Sequence, residues 1–201
     1  GYNALGILQR PETAPQEIQR TGLGDLIPST PALSGADSIL TATGKEYKLK
    51  EALEFISKKY NYDYVIIDTP PALGILTINA LTASDYAIIP AQADIYSLQG
   101  ITQLNNTIQV VKKYTNQKLE ILGIVLTRYN ARTTLTKELT DLLEDTAKQL
   151  DTKVFKTRIR ENIAVKEAQA VKQNLYTYAP KSNASKDYTA LVNEIIDAII
   201  F

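Results

Sequence analysis

A chain of 201 residues, 44% hydrophobic and 22% charged, has the size and balance of one ordinary globular domain, neither disordered nor fibrous. The absence of cysteine excludes disulfide scaffolds, zinc fingers, iron–sulfur clusters and thiol nucleophiles, and the absence of histidine excludes a Ser-His-Asp triad. Lys and Arg together number 22, as do Asp and Glu, so nucleic-acid binding has to come from a local patch rather than from net charge. The longest apolar runs are short, such as Tyr64–Ile67 and Ala198–Phe201, and no charged-then-apolar leader opens the chain. A cytoplasmic protein without a membrane span is therefore expected. No methionine occurs, even at position 1, so residues are expected to precede Gly1.

Gly1 to about Thr21, with Pro11 and Pro15 and no sustained period, reads as loop with one helical turn. Asp25-Leu-Ile-Pro-Ser-Thr-Pro31 gives a short strand ended by its prolines. Leu49, Leu53, Ile56 and Tyr60 fall at i, i+4, i+7 and i+11, which predicts an amphipathic helix from Glu46 to Tyr60. Tyr64-Val-Ile-Ile-Asp68 is a continuous, largely β-branched run, the pattern of a strand buried on both faces of a parallel sheet. Helical spacing over about Leu76–Thr82 leads to a second buried strand, Tyr86–Pro90. Leu98, Ile101, Leu104, Ile108 and Val111 mark a long helix, and Leu122–Thr127 a third strand. Leu135, Leu139, Leu142 and Leu150 mark the next helix, Lys153–Lys156 a short fourth strand, and Tyr188, Leu191, Val192, Ile195 and Ile199 a final helix from about Ser185 to Ile200. Strands alternating with helices predict a parallel sheet with right-handed crossovers, an α/β layered fold forming a single domain over 1–201.

In such sheets ligands bind beyond the carboxyl ends of the strands. Asp68 ends the first buried run and is followed by Thr69-Pro70-Pro71. Two readings stay open there: a rigidly held carboxylate that meets Mg²⁺ through water beside nucleotide phosphates, or a cap for the following helix. A phosphate loop of the form G-x-x-x-x-G-K-S/T would decide, but the one glycine pair with that spacing, Gly1 and Gly6, is followed by Ile7 and Leu8. Basic residues gather after the third strand, at Arg128 and Arg132, and around the fourth, at Lys153, Lys156, Arg158, Arg160 and Lys166. They read either as a phosphate-binding patch or, as the residues alone favour, a solvated surface strip.

The stretch from Asp68 through Thr69-Pro-Pro-Ala-Leu-Gly to Asp85 resembles the ParA/Soj family of partition ATPases, deviant-Walker relatives of the MinD-like P-loop ATPases. The resemblance continues through Ile89-Pro-Ala-Gln92, Tyr96-Ser-Leu-Gln-Gly100, Gly123–Thr133 and Tyr178-Ala-Pro-Lys-Ser-Asn183, and upstream through Asp25–Ser29 and Leu33–Ala36. It implies a P-loop NTPase fold of the Rossmann-like three-layer type, ATP and Mg²⁺ as cofactors, and an ATP-bound homodimer that binds DNA without sequence preference. It further implies a centromere-binding, ParB-type partner that stimulates hydrolysis, and a place on the nucleoid. By the same resemblance Asp68 holds Mg²⁺ through water, Thr69 and Pro70 belong to the loop that senses the γ-phosphate, and Asn162 meets the adenine base. Arg132 matches an arginine of the DNA surface, to which Arg128, Arg158, Arg160 and Lys166 would add.

The chain departs from the family at its front. The strand, the lysine-bearing phosphate loop and the second strand that open these proteins are absent, so a truncated front is expected and the catalytic lysines and aspartate are not assigned. Arg160 stands where the family has a proline, and the family's second DNA-contacting arginine falls near Arg160 or Glu161. The alternative is a non-hydrolysing protein of the same fold that binds DNA or acts as an adaptor. A MinD-like membrane role is disfavoured because Asp187, Glu194 and Asp197 make the last helix acidic.

Overall fold

A computed structural model describes residues 3–130 and 134–200, which group into two compact units, one of residues 3–85 and 106–119, the other of 86–105 and 120–200.

The first unit opens with α1 (Ala4–Gln9), and a 3₁₀ turn at Pro11–Thr13 leads into α2 (Ala14–Glu17). The opening segment is thus more helical than its prolines suggest. The reason is local capping: Asn3 Oδ1 accepts the Gly6 N–H at 3.0 Å, and the Glu17 carboxylate accepts the Asn3 N–H at 2.7 Å. The prolines sit in the first turns of their helices, where no N–H is needed. β1 (Gln19–Thr21) and β2 (Gly24–Leu26) form a two-residue antiparallel hairpin, so Asp25 and Leu26 do lie in a strand, but an exposed one. Its turn exits through Gly24 at φ +138°, a conformation L residues rarely adopt. Then come α3 (Ala36–Ile39), α4 (Lys48–Ser57) and α5 (Ile75–Ala83). The apolar stripe of α4 behaves as its period requires: Ala52 and Ile56 are buried against Ile7 and Ala14, with Leu49, Leu53 and Tyr60 packed around them. Ile75 of α5 packs with Leu8, Ala36 and Leu40. Asn79 is buried in α5, yet it donates to Lys45 O at 2.9 Å and Ile75 O at 3.0 Å and accepts the Leu49 N–H at 3.0 Å.

The run Tyr64–Asp68 corrects the sequence reading. It lies in no strand, and Tyr64, Val65 and Ile66 are 55, 53 and 89% exposed. A run becomes a strand only when a neighbour accepts and donates along its ladder. No described segment pairs with this one.

The second unit is built on β3 (Tyr86–Ala91), α6 (Ile95–Tyr114), whose last turns count with the first unit, and β4 (Glu120–Leu126). The two strands pair in parallel, with Ile89 opposite Ile124 and Ala91 opposite Leu126. β4 carries the buried centre, with Ile124, Val125 and Leu126 at most 4% exposed. β3, expected to be buried throughout, leaves Tyr86 and Ile88 more than a third exposed, because β4 is its one described neighbour. Of the expected fourth strand, Lys153–Lys156, one parallel bridge remains, Ile124 of β4 with Val154; a second, Tyr129 with Arg160, lies beyond both. Phe155 N–H and Ile159 N–H donate to Ile124 O and Leu126 O, each at 2.8 Å. Phe155, Ile159 and Val125 are covered by Leu191 of the terminal helix. The remaining helices are α7 (Thr134–Gln149), α8 (Ile163–Ala170), α9 (Leu175–Tyr178) and α10 (Asn183–Ile200). No described helix is long and apolar enough to cross a membrane.

Candidate functional site

In the first unit, the segment that follows the apolar run holds Asp68, Thr69 and Pro70. All three are exposed, and Asp68 does not end a strand, against the expectation of a carboxylate held rigidly at a strand end. The segment is pinned at its far end. Asp37 Oδ1 accepts the Ile75 N–H at 3.1 Å, and Thr77 Oγ1 donates to Ala72 O at 2.7 Å. Gly74, the cap of α5, has no side chain to do this itself, and a Cβ there would lie 2.7 Å from Asp37 Oδ2. Asp37 therefore caps a helix 38 residues ahead of it, a pairing that no local pattern announces. Beside this end a cavity of about 470 Å³ opens, lined by Leu73, Ile75, Ile78, Val110 and Tyr114.

In the second unit the residues beyond the carboxyl end of β4 come together. Thr127 is tied to Ala91 O through its N–H at 2.8 Å. Arg128 follows in the left-handed region at φ 49°, a conformation in which a non-glycine residue stays only when its surroundings hold it. Here they do, because Tyr129 N–H donates to Ile159 O at 3.0 Å. The Arg158 guanidinium lies over the Tyr129 ring, 4.5 Å from its centre, and also donates to the Tyr129 hydroxyl. Asn162 caps α8, its Oδ1 accepting the Ala164 N–H at 2.9 Å. Arg128, Arg158, Arg160, Asn162 and Lys166 thus share one region, whereas the sequence set the cations in two groups and gave Asn162 a separate role. Arg132 lies outside the described residues.

Each of the four described cations in this region faces a carboxylate. Arg128 and Lys166 both meet Glu161, at 3.4 and 3.6 Å, and Arg158 lies 3.8 Å from Glu144. Arg160 is held most firmly. Its Nε and Nη2 donate to the two oxygens of Asp187 at 2.9 and 2.6 Å, and its backbone N–H donates to the same carboxylate at 3.1 Å. The guanidinium, with the backbone N–H behind it, holds the Asp187 carboxyl below its ordinary range even though burial pushes the other way. A nearby carboxylate, Glu194, is also lowered: burial opposes ionisation, but the N–H groups of Thr157 and Lys156, at 2.9 and 2.8 Å, outweigh it. The sequence pointed to Glu161 beside these cations, but not to Glu144, Asp187 or Glu194, which the fold brings to this region from up to 38 residues away.

A family model described as an AAA domain matches residues 9–121. The sporulation initiation inhibitor protein Soj of Bacillus subtilis is 44% identical over 172 residues, 85% of this chain and 66% of that protein. The chain belongs to the ParA/Soj family. It spans about two thirds of the length of the curated relatives it matches. A plasmid partition protein from Borrelia burgdorferi, solved with AMPPNP, superposes with a TM-score of 0.78 at 25% identity, over 99% of this chain and 74% of that one. Cobyrinic acid a,c-diamide synthase from Mycobacterium smegmatis, solved with an ATP analogue and magnesium, gives a TM-score of 0.67 at 35% identity, over 80% of this chain and 63% of that one. The ParA/Soj assignment agrees with the parallel β3–β4 pair: the fold is that of the ParA/MinD-like P-loop NTPases.

Proposed function

We propose that the protein is a partition ATPase: an ATP- and Mg²⁺-dependent switch that dimerises on ATP, binds DNA without sequence preference, and is turned over by a centromere-binding partner. The observation that carries this reading is the 44% identity to Soj across 85% of the chain, with the residues beyond β4 gathered in one place. That region supplies cations at the end of the sheet where ligands bind in this architecture.

The described residues fit the cofactor only in part. Asn162 has its Oδ1 engaged by the helix it caps, which leaves its NH₂ for an acceptor on a base. Asp68 is an accessible carboxylate for a metal-bound water. No group of three or more Asp or Glu capable of enclosing a metal occurs among the described residues, and no lysine stands in a phosphate loop anywhere in the 201. The alternative is a ParA-fold DNA-binding or adaptor protein that does not hydrolyse ATP.

Intact mass and calorimetry on the natural protein separate the two. Mass in front of Gly1, together with Mg²⁺-dependent ATP binding and slow turnover, is the expected result. A natural chain that begins at Gly1 and shows no heat of ATP binding would overturn the ATPase reading in favour of the adaptor.

A further inference from the structure

Glu161 stands between two cations that face the region beyond β4. One of its oxygens, Oε1, lies 3.4 Å from Arg128 Nη2 and 3.6 Å from Lys166 Nζ. All three side chains are more than half exposed, at 53% for Glu161, 59% for Arg128 and 66% for Lys166. Three features set this trio apart from Arg158 and Arg160. First, Arg158 is stacked on Tyr129, and Arg160 is fixed by three bonds to a nearly buried Asp187, so neither is free to move to an outside anion. Second, the Glu161 contacts are long and exposed, the kind of pair that contributes little and opens readily. Third, Arg128 sits in a left-handed conformation whose neighbour Tyr129 is locked to Ile159, so the backbone that carries its side chain is held in place even when the ion pair opens.

We propose that Glu161 is a built-in competitor for phosphate. Its carboxylate oxygen occupies the position between Arg128 and Lys166 that a non-bridging oxygen of a DNA phosphate takes when DNA binds, and DNA must displace it. This rests on the DNA-binding part of the reading above and adds its regulation: the acid at position 161 keeps the patch weak, and removing it strengthens the patch. The chemistry is symmetrical. A carboxylate and a phosphate oxygen present the same charge to the same two donors, and an internal carboxylate has the advantage of proximity.

The test is a salt titration of fluorescein-labelled random duplex DNA, read by anisotropy with ATP and Mg²⁺ present, against the wild type, Glu161→Gln, Arg128→Ala/Lys166→Ala, and the triple variant. Glu161→Gln should bind roughly three- to tenfold tighter at low salt, two exposed ion pairs being relieved at once. The triple variant should lose the whole gain. Equal affinity of wild type and Glu161→Gln, with wild-type binding still dependent on Arg128 and Lys166, would overturn the competitor while leaving the DNA reading in place. A gain that persists in the triple variant would overturn it too, since the effect would then be bulk charge. No salt-dependent binding by the wild type would overturn the DNA reading itself.

Discussion

Asp187 accepts the backbone N–H of Arg160 and grips its guanidinium through both carboxylate oxygens. One side chain of α10 thereby fixes the chain two residues ahead of the Asn162 cap. Arg160 is thus a structural cation, while Arg128 and Lys166 are more than half exposed and meet Glu161 at 3.4 and 3.6 Å. Arg160→Ala is expected to lower the thermal midpoint and to change affinity for random duplex less than Arg128→Ala does. A larger loss of DNA binding from Arg160→Ala at unchanged stability would reverse that order.

Acid should loosen the same corner. Asp187 and Glu194 both titrate below their ordinary range, Asp187 through the Arg160 guanidinium, Glu194 through the Thr157 and Lys156 N–H groups against the opposing effect of burial. A carboxylate with a depressed folded value binds its proton less readily folded than unfolded. Its contribution is present above the unfolded value, about 4, and is lost as the pH falls through the lower folded value. Urea midpoints should therefore hold above about pH 4.5 and fall below about pH 4, and the Asp187→Asn/Glu194→Gln variant should start lower and fall less steeply over that interval. Parallel curves for the two proteins would count against it.

The core of the second unit turns on the contact of Gly123 with Phe155. A Cβ at Gly123 would lie 2.6 Å from Phe155 Cε2, and Phe155 is 1% exposed. Gly123→Ala forces the ring out of its place, while Phe155→Ala empties it at about 3–5 kcal/mol. The two should be strongly non-additive: in a Phe155→Ala background, Gly123→Ala should cost far less than in the wild type. Denaturant unfolding of the four proteins of the cycle measures the difference, and additivity would mean that the ring yields without loss.

How much of this was legible in the sequence depends on where each element finds its partners. α4 to α7 and α10 appear close to where their apolar spacing put them, because a helix makes its own backbone hydrogen bonds; α4, α7 and α10 need only one face covered, whereas α5 is buried nearly all round, at Ile75, Thr77, Asn79, Ala80, Leu81 and Thr82. β3 and β4 appear for the same reason their β-branched runs suggested, each being given a ladder by the other. Tyr64–Ile67 has an equally strong run but no paired neighbour among the described residues, and a period cannot supply one. α8 and α9 were missed because they are short and carried by Asn caps at Asn162 and Asn174 rather than by an apolar stripe. The basic positions were found, but not how the fold pairs them: the Arg160 guanidinium meets Asp187 across 27 residues, and Glu194 takes the backbone N–H of Lys156, not its ammonium, across 38.

The start of α5 offers a reciprocal test of the loop that holds Thr69 and Pro70. Gly74 caps the helix without a side chain, and Asp37 supplies the acceptor for Ile75 N–H from α3. Asp37→Ala removes that acceptor and should destabilise the protein by about 1 kcal/mol, the usual effect of losing a cap. Gly74→Asp would ordinarily be a good capping change, but in the wild type its Cβ meets Asp37 Oδ2 at 2.7 Å and adds a second negative charge, so it should destabilise. Combined with Asp37→Ala, the obstruction is gone and the new carboxylate takes over the cap from its own position. The double variant should therefore be more stable than either single one, with proteolytic cleavage between Asp68 and Leu73 slowed relative to Asp37→Ala alone. If Gly74→Asp is as harmful without Asp37 as with it, the two residues do not share the role assigned to them, and the loop is anchored by Thr77 and Ala72 instead.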